Sequence, residues 1–336
     1  MPQISSYSFS EFTDLVDRSF IDWLKSIPQQ MRNSWIVIEK PLEMHSGEWR
    51  RFAERLHRSQ YTKTRDEWDT ASAAEVQYWY EKDMQVKTES RSISITKRMR
   101  VAWKDQDILD EVTSLSEICP VSIDLDLAHR LTFAWSTSYT DRSWKTIAND
   151  VWDDLALIYT AHTLTWSSTT YSNEISWNPQ FSKWALENWE KLFAEATYNN
   201  LGEKMVMIPD TIITTDDPNT INQVRELLNA TADTDTSNSW TFNVYKSKYK
   251  HVISWRIATD ANWAPDTTKR KYWFLADSRS SDFYLWMLEA PYLKTPTDWN
   301  NWEEFSSENW NYLAATTYWI TIVTWRRIKG SKWDGS

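Results

Sequence analysis

Near the start of the chain, apolar residues recur at steps of three and four: Phe9, Phe12, Val16, Phe20, Trp23 and Ile27. The pair Ser8 and Glu11 has capping-box spacing and Pro28 closes the run, so the pattern predicts an amphipathic N-terminal helix. From about Trp49 to Trp103 the chain turns polar and charged, until Ile93, Ile95, Met99 and Val101 alternate with Ser92, Ser94, Arg98 and Arg100. Alternation of period two predicts a two-stranded excursion with one weakly apolar face, and such a ribbon needs something to lie against. Ile108, Val112 and Leu115 predict a short helix ending near Pro120. Val121, Leu125, Ala128, Leu131, Trp135 and Tyr139 then predict a second, about 20 residues and so about 30 Å long.

The rest of the pattern is mixed. Residues 151–175 read as a hairpin around Thr165-Trp166-Ser167-Ser168, and 182–198 as a helix through Leu186, Leu192, Phe193 and Ala196, broken at Gly202. A buried strand is expected from Lys204 to Ile208, continuing past Pro209 into Thr211-Ile212-Ile213-Thr214. Asp217 then caps a helix that opens on Pro218 and carries Ile221, Val224, Leu227 and Leu228. After a polar loop at 231–239, strands are expected over 241–257, 271–276, 282–290 and 313–328. Helices and strands alternate without a regular βαβ period, which makes the expected class α+β.

Composition changes this picture in one respect. The 336 residues include 24 tryptophans and only 4 glycines, whereas average usage near 7% would supply about 24 glycines. Tryptophan also stands where turn chemistry wants glycine: Ser143-Trp144-Lys145, Ser176-Trp177-Asn178-Pro179, Asn262-Trp263-Ala264-Pro265, Asp298-Trp299-Asn300 and Lys332-Trp333-Asp334. Turns of the Asn-Gly type need φ > 0, which glycine reaches without a Cβ clash. The reading is that most of these tryptophans are glycines in the living protein, encoded by UGA in an organism with a reassigned stop codon or in a virus infecting one. Trp23, Trp135, Trp273 and Trp310, in apolar or aromatic contexts, read as genuine. The alternative is a surface truly rich in tryptophan, which would gather on one face, whereas these are spread through every segment.

Net charge −10 with 41% hydrophobic residues describes a foldable, acidic chain and argues against a dedicated nucleic-acid binder. Cys119 alone cannot form an internal disulfide, no run is long enough for a membrane span, and Met1-Pro2-Gln3-Ile4-Ser5 lacks a signal-peptide plan. A cytoplasmic product is expected. Candidate chemistry is sparse. His45, His57, His129, His162 and His251 show no metal-ligand spacing, and His129 reads as a polar-face residue. Asp210, Asp216 and Asp217 could hold a cation but read more simply as turn and cap residues. Cys119 reads as core, and Asn229-Ala230-Thr231 as a chance sequon. Lys97-Arg98-Met99-Arg100 could touch phosphate or a neighbour's acidic residues. No phosphate loop or nucleophile elbow emerges even with Trp read as Gly. No catalytic, cofactor-binding or metal residue is therefore assigned.

Three stretches carry a resemblance. Asp107 to Thr140, followed by Asp154 to Leu164 with its Thr160-Ala161-His162, resembles the central part of Mu-like major head subunits. Asp210 to Pro218 and the ending Tyr318 to Ser331, read with Gly at 319 and 325, are similar to tailed-phage capsid proteins. The likeness covers about residues 85–336, and the order of the stretches is its most specific part. It implies the Hong Kong 97-like α+β capsid fold: an N-terminal arm with its helix at 1–48, an extended loop and strands at 49–105, and a spine helix and hairpin at 106–181. An axial domain at 182–257 and return strands at 258–336 complete it. It implies a non-enzymatic head protein that self-assembles as hexamers and pentamers into an icosahedral shell, with scaffold, portal and decoration proteins as further partners and packaged DNA gripped only weakly. No long charged coiled segment precedes the arm, so no fused scaffolding domain is expected, and no crosslinking residue is carried over. An aromatic ligand- or carbohydrate-binding module and an encapsulin-like shell are the alternatives; a hydrolase is more distant for want of a nucleophile and base.

Overall fold

The protein's computed structural model describes residues 9–41, 49–55, 78–102, 105–164, 167–195, 198, 202–233, 241–280, 282–296 and 309–333. Helix α1 (Phe9–Ser26) packs on α3 (Asp105–Thr132) through a core that includes Val16, Phe20, Ile108, Val112, Leu115 and Cys119. The main sheet has the order β1 (Val37–Pro41), β12 (Phe283–Lys294), β13 (Trp310–Ile322), β4 (Lys87–Ile95). β1 runs parallel to β12, and the other two pairs are antiparallel. The C-terminal half of α3 packs against this sheet through Ile123, Leu127, Ala128 and Leu131.

A second sheet has the order β10 (Lys250–Ile253), β9 (Thr211–Thr214), β11 (Trp273–Ala276), β14 (Ile328–Ser331). With α4 (Lys183–Glu195) and α5 (Pro218–Asn229) it forms a separate core around Trp189, Phe193, Val224, Ile212 and Leu275. Gly330 in β14 is required by close approach: a Cβ there would lie 2.8 Å from the ring of Phe274. Three two-stranded units complete the described fold: β2 (Trp49–Arg55) with β3 (Tyr78–Gln85), β5 (Ser138–Thr140) with β6 (Thr146–Ala148), and β7 (His162–Leu164) with β8 (Ser167–Tyr171).

Several expectations are corrected. The two helices foreseen around Pro120 are one, α3, which runs through the proline and stops at Thr132; Tyr139 lies in β5. An internal proline costs a helix about 3 kcal/mol, and here the helix is held by different cores on its two sides. The alternation foreseen through Val101 ends at Ile95, and Lys97–Val101 is a helical turn, α2, so Arg98 and Arg100 do not share a strand face. Lys204–Ile208 is not a strand: Val206 is 84% exposed, and β9 already has β10 and β11 on its two edges. Only Lys250–Ile253 of the 241–257 span is a strand, and 313–328 divides into β13 and β14. The hairpin foreseen in 151–175 is β7–β8, with Thr165 and Trp166 outside the described residues, as is most of the 231–239 loop.

Backbone geometry singles out particular tryptophans. Trp144 (φ 60°), Trp177 (φ 73°) and Trp263 (φ 70°) are left-handed, a region that costs a residue with a Cβ roughly 1–2 kcal/mol and is an outlier for a bulky one. Trp144 and Trp177 are 90% and 92% exposed, so no packing offsets the strain. Indole hydrogen bonding divides others. Trp135 Nε1 donates to Glu174 Oε1 at 3.0 Å and Trp273 Nε1 to the Pro179 carbonyl at 3.1 Å. The buried Nε1 groups of Trp152, Trp189 and Trp319 have no hydrogen-bond partner, although buried indole N–H groups usually find one.

Lys329 is fully buried in β14, with Nζ 4.7 Å from the Phe193 ring centroid and no hydrogen bond to it. Burial pulls its pKa down from 10.5 to about 7.

Two predictions follow from these geometries. Trp144→Gly and Trp177→Gly should each raise the unfolding free energy by about 0.5–1 kcal/mol, the relief of strain less the entropy of glycine; denaturant melts that show destabilisation would contradict the strain argument. For Lys329 the unfolded state binds the extra proton between pH 7 and 10.5. Its stability penalty is therefore full near pH 7 and fades as pH rises towards 10.5. Lys329→Met should stabilise the protein by on the order of a few kcal/mol at pH 7, a gain that narrows in melts at alkaline pH.

Candidate assembly interface

The polar residues along the buried half of α3 tie down remote segments of the chain. Asp124 accepts from the backbone N–H groups of Met31 (2.7 Å) and Arg32 (3.1 Å) and pairs with Arg256 at 3.0 Å. Asp126 accepts from Tyr318 of β13 at 2.7 Å and pairs with Lys87 of β4 at 2.9 Å. Lys87 also meets Glu89 at 2.5 Å; burial alone would lower its pKa, but the two carboxylates outweigh that and hold it above the usual lysine value. Thr132 donates to the Ile257 carbonyl at 2.9 Å, and Arg130 donates to the Ala148 carbonyl of β6. The pattern had signalled only helix period here, since a bonded buried polar residue and a solvated one look alike in sequence.

The sequence candidates are scattered by the fold. His45 and His57 lie outside the described residues. His129 is corrected from polar face to core: it is 1% exposed, lies 3.0 Å from Thr259 Oγ1, packs edge-on to Phe133 and Tyr139, and burial lowers its pKa to about 4. His162 Nδ1 lies 2.7 Å from Asp153 Oδ2, both buried, and its ring stacks on Trp325 with centroids 4.4 Å apart. His251 Nε2 is 2.8 Å from Thr214 Oγ1. Asp217 caps α5, accepting from Thr220 N at 3.0 Å. Asp210 binds Ser278 N and Oγ, at 2.9 and 2.6 Å, and Asp216 binds Arg270 at 3.1 Å. Cys119 is buried in the α1–α3 core, its thiol pushed up to about 11 by burial and then by Glu89. Asn229 and Ala230 form the end of α5. Among the described residues no three metal-ligating side chains converge, and no helix is long and apolar enough to cross a membrane.

What the fold does present is surface suited to association. The β2–β3 ribbon has no third strand among the described residues, leaving edge N–H and C=O groups as pairing sites. At the second core, Val206 (84% exposed) and Ile208 run up to β9, and Phe242 and Val244 (74% exposed) to β10. These strands are parallel neighbours with Thr211 opposite Lys250, and Lys250 N donates to the Asp210 carbonyl at 2.8 Å, so both approaches arrive at one end of the sheet. Met207, Tyr245 and Tyr249 from the same segments are buried beneath. Exposed apolar side chains mark a contact surface where they adjoin. Val206→Asp and Val244→Asp should therefore reduce self-association in sedimentation velocity while circular dichroism stays unchanged; unaltered association would remove this patch from the interface.

No protein-family model and no curated protein matches the chain. Solved structures do. The structure titled procapsid of bacteriophage JBD30 aligns with a TM-score of 0.50 at 10% identity, covering 97% of this chain and 76% of that one. A virus-like particle from Pyrococcus furiosus aligns at 0.49 and 9%, covering 95% and 98%, and a Gordonia phage Cozz structure at 0.49 and 10%, covering 97% and 95%. The chain thus has an α+β fold of the Hong Kong 97 capsid type.

Proposed function

We propose that the chain is the major head protein of a tailed double-stranded DNA phage, a non-enzymatic subunit that self-assembles into an icosahedral shell around the genome. The observation that carries this is the fold shared with the JBD30 procapsid structure over 97% of the chain. In this reading residues 1–48 are the N-terminal arm, 49–105 the extended loop and strands, and 106–181 the spine-helix region. Residues 182–257 form the axial domain and 258–336 the return strands. Physically, the edges of the β2–β3 ribbon, which have no third strand among the described residues, and the exposed side chains of Val206 and Val244 would gain partners from further copies, so symmetry-repeated contacts would supply stability that one subunit lacks. Scaffold, portal and decoration proteins would be further partners. The net charge of −10 suits a wall that confines DNA without binding it tightly.

The Mu-like subtype and the UGA reading belong to the same proposal. Support for the codon reading comes from the left-handed backbone at Trp144, Trp177 and Trp263, positions where the turn sequences already called for glycine. The bonded indoles of Trp135 and Trp273 support those two as genuine.

The test is expression of a gene that places glycine at the turn positions and at 319 and 325. Negative-stain imaging should then show closed shells, and hydrogen exchange over residues 55–100 should be slower in particles than in free subunit. Persistent monodisperse monomers would overturn the shell, and tryptophan masses at 144, 177 and 263 in peptides of the native protein would overturn the codon reading.

A further inference from the structure

Among the described residues the β2–β3 ribbon joins the rest of the fold at one point. Its strand β3 ends at Gln85 and β4 begins at Lys87, with Val86 alone between them. At the other end β2 opens at Trp49, and residues 42–48 before it lie outside the described residues. The β4–β13 ladder stops at the same place, with Lys87 opposite Tyr318. Side chains alternate along a strand, so Lys87 and Glu89 share one face of β4. The Lys87 ammonium sits between Glu89 at 2.5 Å and Asp126 of α3 at 2.9 Å, with Asp141 at 4.0 Å. Tyr318 donates to the same Asp126 oxygen at 2.7 Å. One cation thus gathers three carboxylates at the root of the ribbon. The Lys87 side chain is 21% exposed and that of Asp126 14%, so water and salt screen this pair less than they would a surface pair.

We infer that Lys87 is a positioning residue: its ammonium, held by Asp126 and Glu89, fixes the direction in which the β2–β3 ribbon leaves the body and so presets the ribbon for contact with a second copy. The role in assembly rests on the shell reading above; the clamp itself does not. Beyond Lys87 the ladder hydrogen bonds end, and the course of the chain is left to the soft dihedrals at Val86. β3 has 8 residues, about 26 Å at about 3.3 Å each, so a swing of about 20° at Val86 would carry its far end through about 9 Å. That is several hydrogen-bond lengths, enough to miss a partner. Val86 packs against Trp286, but apolar contact has no direction. An ammonium lodged between carboxylates of two different elements does fix where the strand must run. Although burial opposes its charge, Asp126 and Glu89 keep Lys87 protonated at neutral pH and above. A ribbon already held in one direction loses less freedom when a neighbour receives it, which favours association.

The experiment reads ribbon direction and assembly separately. Nitroxide labels on cysteines placed at Ala53 of β2 and at the exposed Ser114 of α3 report the ribbon-to-body distance in the free, tryptophan-bearing chain by pulsed electron paramagnetic resonance. A second pair, at Ser114 and the exposed Lys246, reports on the body alone. Assembly is imaged by negative stain on the glycine-bearing chain of the preceding test. The parent should give one narrow ribbon-to-body distance. Lys87→Met combined with Asp126→Asn removes both charges and leaves Tyr318 an acceptor; it should lose the narrow peak and the closed shells, with the body pair and a cooperative thermal melt unchanged. Lys87→Arg keeps a cation beside both carboxylates and should retain peak and shells. Glu89→Gln, which leaves Asp126 to pair with Lys87, should broaden the peak to a lesser degree and serves if the double variant does not fold. A broad distance in the parent, or a narrow one kept by the double variant, overturns the clamp. A broadened distance with shells that close as readily as the parent's overturns its part in assembly. Parent chains that show the expected distances yet never close shells overturn the shell reading and leave the clamp standing.

Discussion

A polar group taken out of water must find a partner inside the protein, and in this fold that requirement organises the molecule around α3. The helix is apolar enough to be buried, yet Asp124, Asp126, Arg130 and Thr132 lie along the buried half. Together they bind remote stretches of chain: the turn at Met31–Arg32, strands β4 and β13, the Ala148 carbonyl of β6, and the segment at Arg256–Ile257. Removing one partner of such a pair leaves the other's desolvation uncompensated, which costs more than the bond contributes. These directed bonds fix which remote segments meet α3 and where, which non-directional hydrophobic contacts alone do not.

The same helix links two cores of different composition. Its N-terminal half meets α1 beneath β4 and β13, its C-terminal half meets the main sheet, and Pro120 stands between. Packing on both sides overrides the local preference for a break at proline.

The tryptophans divide by backbone geometry and by hydrogen bonding as well as by sequence context. At Trp144 and Trp177 the backbone adopts the left-handed region although the residue written there resists it, because the neighbouring hydrogen bonds fix the turn: Trp144 N donates to the Asp141 carbonyl, and Asn178 N to the Ile175 carbonyl. Inside the protein the sign is different. Trp152, Trp189 and Trp319 fill space yet leave their N–H groups without acceptors, whereas Trp135 and Trp273 pack and bond. Packing accommodates an indole more readily than hydrogen bonding does, since space is filled by any bulky group but a donor needs a directed acceptor.

By itself the sequence determined those elements whose signals are local. α1 follows from the three-and-four spacing of Val16 and Phe20, and α5 from the Asp217 cap and Pro218; the α+β mixture was legible for the same reason. Tertiary structure alone decided whether α3 would survive Pro120, whether Lys204–Ile208 would find a strand partner, and that His129 would be buried. It also decided that Arg130 would meet the Ala148 carbonyl of β6. The reason is that period and capping energies act within a few residues of the chain. Satisfaction of a buried donor, or of a strand edge, depends on groups a hundred or more residues away, which only the folded chain brings within reach.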